Sequence, residues 1–340
     1  MSPGAPGPLN LITDVAGLRV GQAHDARVRS GVTVILPDGR ATAACDVRGG
    51  APGTRETDAL SGHTLVDAID AIVLAGGSVY GLAAADAVAA ALGAAGRGFS
   101  PRPGAGAPPA PIVPAAILYD LANGGAKDWG LEPPYRALGL EALAAAAKRF
   151  PLGAAGAGYG AMAGGLKGGV GSASWVAADG MTVGAIVAVN SWGAAVAPGG
   201  RAFWAAPFEQ GAEFGGLGVA GLAATPDDWG LARQAPAVRE NTTLACVAVD
   251  LALTPSEMQR IAIMAQDGLA RALRPAHSPF DGDVVFALAT GARQAPTPGP
   301  STVARAGAIA ADCLARAIAR AVFEATPWPG SDVRCWRDLR

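Results

Sequence analysis

Runs of apolar and β-branched residues without a charged residue are the strongest folding signal in this sequence. Such runs are typical of buried strands. They occur at residues 32–36, 71–75, 181–189 and 242–249. Only 16% of the 340 residues are charged, against about 25% in typical globular proteins. This sparse charge also indicates buried sheets or contacts between subunits.

Composition excludes several classes of protein. A hydrophobic content of 51% excludes a disordered chain, and a net charge of -2 provides no basic field for nucleic acid or an anionic membrane. The start of the chain lacks the pattern of a signal peptide, and no run of 18 apolar residues predicts a spanning helix. The four cysteines form no C-x-x-C motif and the three histidines no H-E-x-x-H. We therefore expect a cytoplasmic protein without metal or cofactor.

The N-terminal half contains a strand, a glycine-rich turn and a helix in succession. Three glycines between positions 76 and 81 separate the strand at residues 71–75 from an alanine-rich stretch, residues 82–92, that we expect to be helical. The order is that of a dinucleotide-binding fold, but the G-x-G-x-x-G spacing is not matched. Residues 94–113, rich in glycine and proline, are predicted to form a loop.

The last third of the chain is predicted to run strand, helix, strand, helix. Residues 225–240 are polar and broken by prolines, which is typical of an exposed linker. After the strand at residues 242–249, Thr254-Pro-Ser-Glu257 is a capping box with proline at the first helical position. A strand at residues 284–289 follows, and Ser301 is expected to cap the final helix.

The junction between the linker and the following strand is the first candidate for catalysis. No G-x-S-x-G elbow is present, and a hydrolase without a histidine base can use a serine or threonine at a new chain N-terminus, whose α-amino group is the base. Asn241-Thr242 suits this chemistry because the strand would hold Thr242 rigidly. The Thr242 hydroxyl would attack the Asn241 carbonyl, and hydrolysis of the resulting ester would free the new N-terminus. The alternative is a simple turn entering a strand.

Further polar residues are candidates, each with a plainer structural alternative. Lys167 is one of three lysines among 26 basic residues and lies in a glycine-rich loop, where a compact ammonium with a tunable pKa is useful; chance is the alternative. Asn190 ends an apolar strand and could donate to an oxyanion, or could be a turn residue. Tyr119 could donate its O–H to an oxyanion, or could be a core aromatic. Asp281-Gly-Asp283 offers paired carboxylates, or an ordinary turn.

Several motifs together resemble those of the DmpA-type (P1) peptidases, which include L-aminopeptidase D-amidase/esterases, β-peptidyl aminopeptidases and nylon-oligomer hydrolases. The longest matches are VRGGAPGTRETD at residues 47–58 and LAGGSVYGL at residues 74–82. The Lys167 loop, the Val-Asn pair ending at Asn190, and Asn241-Thr-Thr also match. The resemblance spans about residues 10–290.

This resemblance implies an α/β fold, a four-layer α-β-β-α sandwich. It also implies one catalytic domain, residues 1–340, that cuts itself into residues 1–241 and 242–340, with the heterodimers assembling further as a homo-oligomer, plausibly a tetramer. Thr242 would be the nucleophile and Asn241 the last residue of the larger chain. The carry-over also places further residues at active-site positions: Lys167, Asn190, Asp281, Asp283 and, as a looser match, Tyr119.

The nucleophile and the carboxylates indicate a branch within the family. A threonine nucleophile with Asp281-x-Asp283 is similar to the nylon-oligomer hydrolases, whereas the aminopeptidase branch pairs a serine with Ser-x-Glu. We therefore expect a self-processing amide hydrolase that acts through an acyl-Thr242 intermediate on small peptides or ω-amino acid oligomers, such as those of 6-aminohexanoate. Lys167 would lower the pKa of the Thr242 amine by like-charge repulsion. The alternatives are an ornithine acetyltransferase-like acyl transferase and a non-catalytic binder of anions or nucleotides.

Overall fold

The computed structural model describes residues 4–102, 106–220, 222–233, 241–295 and 299–340. Within them the strands are β1 (Leu18–Asp25), β2 (Ser30–Pro37), β3 (Thr42–Val47), β4 (Thr54–Arg55), β5 (Ile72–Ala75), β6 (Ala115–Ile117), β7 (Met162–Ala163), β8 (Leu166–Lys167), β9 (Gly169–Val176), β10 (Thr182–Asn190), β11 (Thr242–Leu251) and β12 (Val284–Arg293). The helices are α1 (Ala83–Ala94), α2 (Tyr135–Ala144), α3 (Pro255–Ala265), α4 (Asp267–Ala272) and α5 (Pro300–Phe323). A search of these described residues finds no helix long and apolar enough to cross a membrane.

Two five-stranded sheets form the centre of the molecule. The first has the strand order β1-β2-β5-β6-β4, and the second has the order β3-β12-β11-β10-β9. In the second sheet β11 is antiparallel to β10 and parallel to β12. A small hairpin of β7 and β8 stands apart from both sheets.

Three apolar cores separate four layers. The side chains of Ile35 and Leu74 from the first sheet meet those of Leu244 and Phe286 from the second, in the core between the sheets. A second core joins the outer face of the first sheet to α1 and α2. The third joins the outer face of the second sheet to α3, α4 and α5. The expected α-β-β-α sandwich is therefore confirmed.

The layering explains the runs of apolar and β-branched residues. In β11, Leu244 and Cys246 face the other sheet, whereas Ala245 and Val247 face the helices, so that both faces are buried. Such strands do not alternate between apolar and polar residues. The predicted strands at residues 32–36, 71–75, 181–189 and 284–289 are likewise confirmed as β2, β5, β10 and β12.

The start of α3 agrees with the prediction from the sequence, whereas the start of α5 differs from it. Thr254 accepts a hydrogen bond from the Glu257 backbone N–H, and the Glu257 carboxylate accepts one from the Thr254 N–H, which confirms the capping box. The expected cap at Ser301 is wrong, because α5 already begins at Pro300 with Gly299 at the N-cap position. Proline suits the first helical position since its missing N–H would have no partner there. The predicted linker at residues 225–240 has irregular structure up to residue 233, and its remainder lies outside the described residues.

Candidate active site

The sheet register brings several predicted site residues to one end of the second sheet. Thr242 is the first residue of β11 and lies directly opposite Asn190, the last residue of β10. On its other side Asn241 forms a parallel bridge with Asp281, just before β12. Since β11 and β12 run parallel, their starts lie at the same edge, so the Asp281-Gly-Asp283 turn adjoins the Asn241–Thr242 peptide.

The Asn241–Thr242 peptide is buried and surrounded by donors. Asn241 and Thr242 are 0% and 4% exposed. The Thr242 hydroxyl donates to the Asn241 carbonyl oxygen at 2.5 Å, and the backbone N–H of Gly282 donates to the same oxygen at 2.9 Å. Two donors on a carbonyl oxygen withdraw electron density from its carbon, the atom that Thr242 Oγ1 would have to attack.

The two carboxylates of the turn hold different parts of the site. One oxygen of Asp283 accepts the Thr243 backbone N–H at 2.8 Å, which fixes the start of β11. One oxygen of Asp281 accepts the Trp192 N–H at 3.1 Å, and the other accepts the Ser278 hydroxyl at 2.5 Å. Both aspartates are 1% exposed. The carboxylates thus tie the loop after β10 and the start of β11 to a single turn.

Burial, together with the negative charge of Asp283, raises the pKa of Asp281 to about 6. Desolvation is the larger cause, because a carboxylate loses its hydration in an apolar surrounding. A carboxyl group with such a pKa gains and loses its proton near neutral pH. The charge of Asp281, and with it that of the turn, therefore changes with pH near neutrality.

The side-chain amide of Asn190 is hydrogen-bonded to other parts of the protein. Its side-chain N–H donates to the Tyr119 carbonyl oxygen at 3.0 Å, and its Oδ1 accepts the Met162 N–H at 2.9 Å. These bonds place the amide beside Thr242 across the sheet but direct its donor to Tyr119. The amide nitrogen carries two N–H groups, so the bond to the Tyr119 carbonyl does not by itself exclude the predicted donation to an oxyanion.

Lys167 lies in a cradle of carbonyl groups. Its ammonium, 0% exposed, donates to the carbonyl oxygens of Gly168 at 2.7 Å, Ala161 at 3.1 Å and Gly158 at 3.3 Å. Burial lowers the pKa of Lys167 to about 7. Among the described residues, no hydrogen bond or ion pair joins Lys167 to Thr242. The two are connected indirectly: Lys167 pairs with Met162 in the β7–β8 hairpin, and the Met162 N–H donates to Asn190.

A cleft of about 430 Å³ opens next to Thr242. Residues from both long motifs of the family resemblance, 47–58 and 74–82, line this cleft together with Tyr119, a predicted site residue. Among the described residues, the lining carries no charged side chain and consists of residues 51–54, Ser78, Val79, Leu82, Ile117, Tyr119 and Thr242. This cleft can hold a small uncharged segment against the Thr242 hydroxyl.

Three contributors were missed in the sequence. Gly282 lay inside the Asp281-Gly-Asp283 motif, but a backbone N–H leaves no mark in a residue pattern. His277 and Ser278 bond Asp283 and Asp281, respectively, and their closeness in sequence to the turn was the available signal. No group of three or more His, Cys, Asp or Glu side chains in the described parts of the chain is arranged to hold a metal ion.

Comparisons with known sequences place this chain among peptidases. The profile of peptidase family S58 matches residues 10–335. An uncharacterised aminopeptidase of Mycobacterium bovis is 42% identical over 360 aligned positions, which cover 97% of this chain and 98% of that protein. A 6-aminohexanoate-oligomer endohydrolase of Agromyces is 32% identical, with 85% of this chain and 77% of that protein covered.

Solved structures show the same architecture. A β-aminopeptidase of Burkholderia superposes with a TM-score of 0.69 at 25% identity, covering 96% of this chain and 89% of that one. The L-aminopeptidase D-Ala-esterase/amidase of Ochrobactrum anthropi, described as a variant of the Ntn hydrolase fold, superposes with a TM-score of 0.68 at 22% identity. That alignment covers 100% of this chain and 92% of the other.

Proposed function

The chain belongs to peptidase family S58 and is an amide or peptide hydrolase, and from that premise we propose that it cuts itself between Asn241 and Thr242 and then uses Thr242 as its nucleophile. One observation carries the proposal. The Gly282 N–H donates to the carbonyl oxygen of Asn241, where an oxyanion would form, and the Thr242 hydroxyl lies at the same carbonyl, so that a candidate oxyanion donor and a candidate nucleophile lie on one peptide.

Self-cleavage would proceed by an acyl shift. Thr242 Oγ1 bonds to the Asn241 carbonyl carbon, the bond from that carbon to the Thr242 nitrogen breaks, and the hydroxyl proton ends on the nitrogen. Water then hydrolyses the ester to give an Asn241 carboxylate and a free Thr242 amine. The Gly282 N–H would stabilise the developing oxyanion, a contribution of about 3 kcal/mol for a single donor of this kind.

The uncleaved chain also carries an unsatisfied polar group at this place. The amide nitrogen and oxygen of the Asn241 side chain are buried without a hydrogen-bond partner among the described residues. An orphaned buried polar group costs about 1–3 kcal/mol. Release of the Asn241 end after cleavage would remove that cost and favour the processed form.

Hydrolysis of a substrate would repeat the same steps at the freed Thr242. The α-amine takes the hydroxyl proton, Oγ1 attacks the substrate amide, the amine product leaves, and water hydrolyses the acyl-Thr242 ester. We assign the Gly282 N–H as the first oxyanion donor, with Asn190 and Tyr119 as the further donors that the resemblance implies. Asp281 and Asp283 orient the turn, and Lys167 acts through the hairpin that holds Asn190.

The cleft suggests the substrate. Its uncharged lining suits small peptides or ω-amino acid oligomers, including those of 6-aminohexanoate, rather than a charged group at the scissile bond. We further propose a cytoplasmic homo-oligomer of processed heterodimers, a tetramer being the expected form. Strongly exposed apolar side chains support contact between copies, among them Leu65 and Leu131, which are 102% and 96% exposed.

The test is to detect the acyl-enzyme. A panel of p-nitroanilides of short peptides and of 6-aminohexanoate dimers is incubated with the protein, and the fragment that begins at Thr242 is weighed after rapid acid quenching. We expect p-nitroaniline release together with an acyl mass on that fragment, and loss of both in Thr242→Ala. Turnover that survives Thr242→Ala would contradict the proposal. Addition of an amine acceptor separates hydrolysis from acyl transfer by its products.

A further inference from the structure

The Asp281-Gly-Asp283 turn is held from outside by two consecutive residues. His277 bonds Asp283, and Ser278 bonds Asp281. The same turn contains the Gly282 N–H, which donates to the Asn241 carbonyl oxygen. His277 and Ser278 therefore contact the turn and not the reacting atoms themselves, and their hydrogen bonds fix the position of the turn.

The contact of His277 is double. Its backbone N–H donates to Asp283 Oδ2 at 3.1 Å, and its imidazole Nδ1 lies 2.9 Å from the same oxygen. The other oxygen of Asp283 accepts the Thr243 N–H at 2.8 Å. One carboxylate thus connects the imidazole of His277 to the residue that follows Thr242.

The backbone of His277 is shaped for this contact. Its φ of +56° lies in the left-handed region, which few residues other than glycine adopt, with asparagine, aspartate and histidine the most frequent among them. In this conformation the N–H and the ring face the same carboxylate oxygen. Strain of this kind persists where the surroundings fix it, and it concentrates at functional sites.

We propose that His277 is a positioning residue of the active site, which fixes Asp283 and, through it, the start of β11 next to Thr242. The inference rests on the proposed function for its kinetic effect. Its structural content, the coupling of His277 to Asp283, stands apart from catalysis and is measured separately below.

The kinetic test compares two variants that both tolerate a left-handed backbone. His277→Asn keeps a side-chain donor near the place of Nδ1, whereas His277→Gly removes it; His63→Asn, at an exposed position, is the control for loss of a histidine. We expect His277→Gly to slow self-cleavage and to lower kcat by about tenfold or more with little change in KM. His277→Asn should restore most of the rate at neutral pH.

The pattern of rates across the variants decides whether His277 positions Asp283. Equal rates for the parent, His277→Gly and His277→Asn would overturn the positioning role, as would equal impairment of both variants with a lowered Tm.

A measurement without turnover decides the coupling. The uncleaved Thr242→Ala chain is labelled with ¹⁵N-histidine, and the imidazole signals of its three histidines are recorded by NMR at one fixed pH, the His277 signal being assigned by its loss in His277→Asn. Asp283→Asn removes the carboxylate oxygen that His277 Nδ1 contacts, and it should move the His277 signal while leaving that of His63 unchanged. A His277 signal that does not move would overturn the inference, even if self-cleavage occurs; absent cleavage with a moved signal would instead count against the proposed function alone.

Discussion

Substitution of Gly282 by alanine tests, with a single methyl group, the geometry around the Asn241–Thr242 peptide, at which we propose self-cleavage. A Cβ at this position would lie 2.7 Å from Thr242 Oγ1, 2.7 Å from the Ala51 carbonyl oxygen and 3.2 Å from the Pro52 Cα. Ordinary contacts of a Cβ begin near 3.4 Å. Gly282 does not have a left-handed φ, so the substitution adds this crowding without a conflict in the backbone.

The size of the effect follows from the overlap. Relief of both 2.7 Å contacts requires a shift of about 0.7 Å. The Ala51 oxygen belongs to the backbone, so the Thr242 hydroxyl and the Gly282 N–H are the groups that give way. A misplacement near 1 Å costs about 100-fold in rate, which is about 2.7 kcal/mol of barrier. We therefore expect Gly282→Ala to cleave itself about 100-fold more slowly than the parent.

The assay is a time course of intact mass on freshly purified precursor at constant temperature. Gly39→Ala is the matched control, because a Cβ at Gly39 would meet nothing within 4 Å, and it should cleave at the parent rate. The Tm of each variant, in the Thr242→Ala background, separates slow chemistry from unfolding. A folded Gly282→Ala that cleaves within about threefold of the parent would refute the reasoning, since that overlap predicts far more.

Other substitutions test the remaining parts of the site. Burial lowers the pKa of Lys167 to about 7. Between about pH 7 and 10.5 the unfolded chain therefore binds a proton that the folded chain lacks, so the free energy of unfolding rises with pH in this range. Urea unfolding of the Thr242→Ala precursor at pH 7, 8 and 9 should show this rise, and Lys167→Met should abolish it. Asn190→Asp replaces the donor to the Tyr119 carbonyl by an oxygen and should cost about 1–3 kcal/mol of stability in the same background; an unchanged Tm would contradict that contact. Val79, 64% exposed at the edge of the cleft, can receive a charge without loss of packing. Val79→Asp should raise kcat/KM for a free-amine anilide relative to its N-acetylated form by about two- to fivefold, whereas the neutral Val79→Asn should not.

Local patterns predicted the elements that are buried on both faces. The run of apolar and β-branched residues that became β11 contains no charged residue before Asp250, and the Thr254 capping box marks the start of α3 in four letters. The start of α5 was misplaced because Ser301 and Pro300 both suit a helix N-terminus, and the chain uses the proline at the first helical position. Which sheet each strand joins depends on contacts distant in sequence, and the expectation of two stacked sheets came from the family resemblance.

The site was predicted as a set of residues but not as an arrangement. Asn241 and Asp281 are paired because β11 and β12 run parallel, which no local pattern states. The role of the Gly282 N–H depends on backbone direction, and that of His277 on a left-handed φ; neither is encoded in side-chain type. Lys167 matched a family position, yet its contacts are with backbone carbonyls, which sequence spacing does not show.

The most direct test of the central claim is the intact mass of the purified protein over time, beside Thr242→Ala and Thr242→Ser. The account predicts that the 33.6 kDa chain converts into residues 1–241 and 242–340, about 24 and about 10 kDa by their share of the length. Thr242→Ser should convert and Thr242→Ala should stay whole. A parent chain that stays whole on long incubation, or a Thr242→Ala chain that is cut after Asn241, would contradict Thr242 as the self-activating nucleophile.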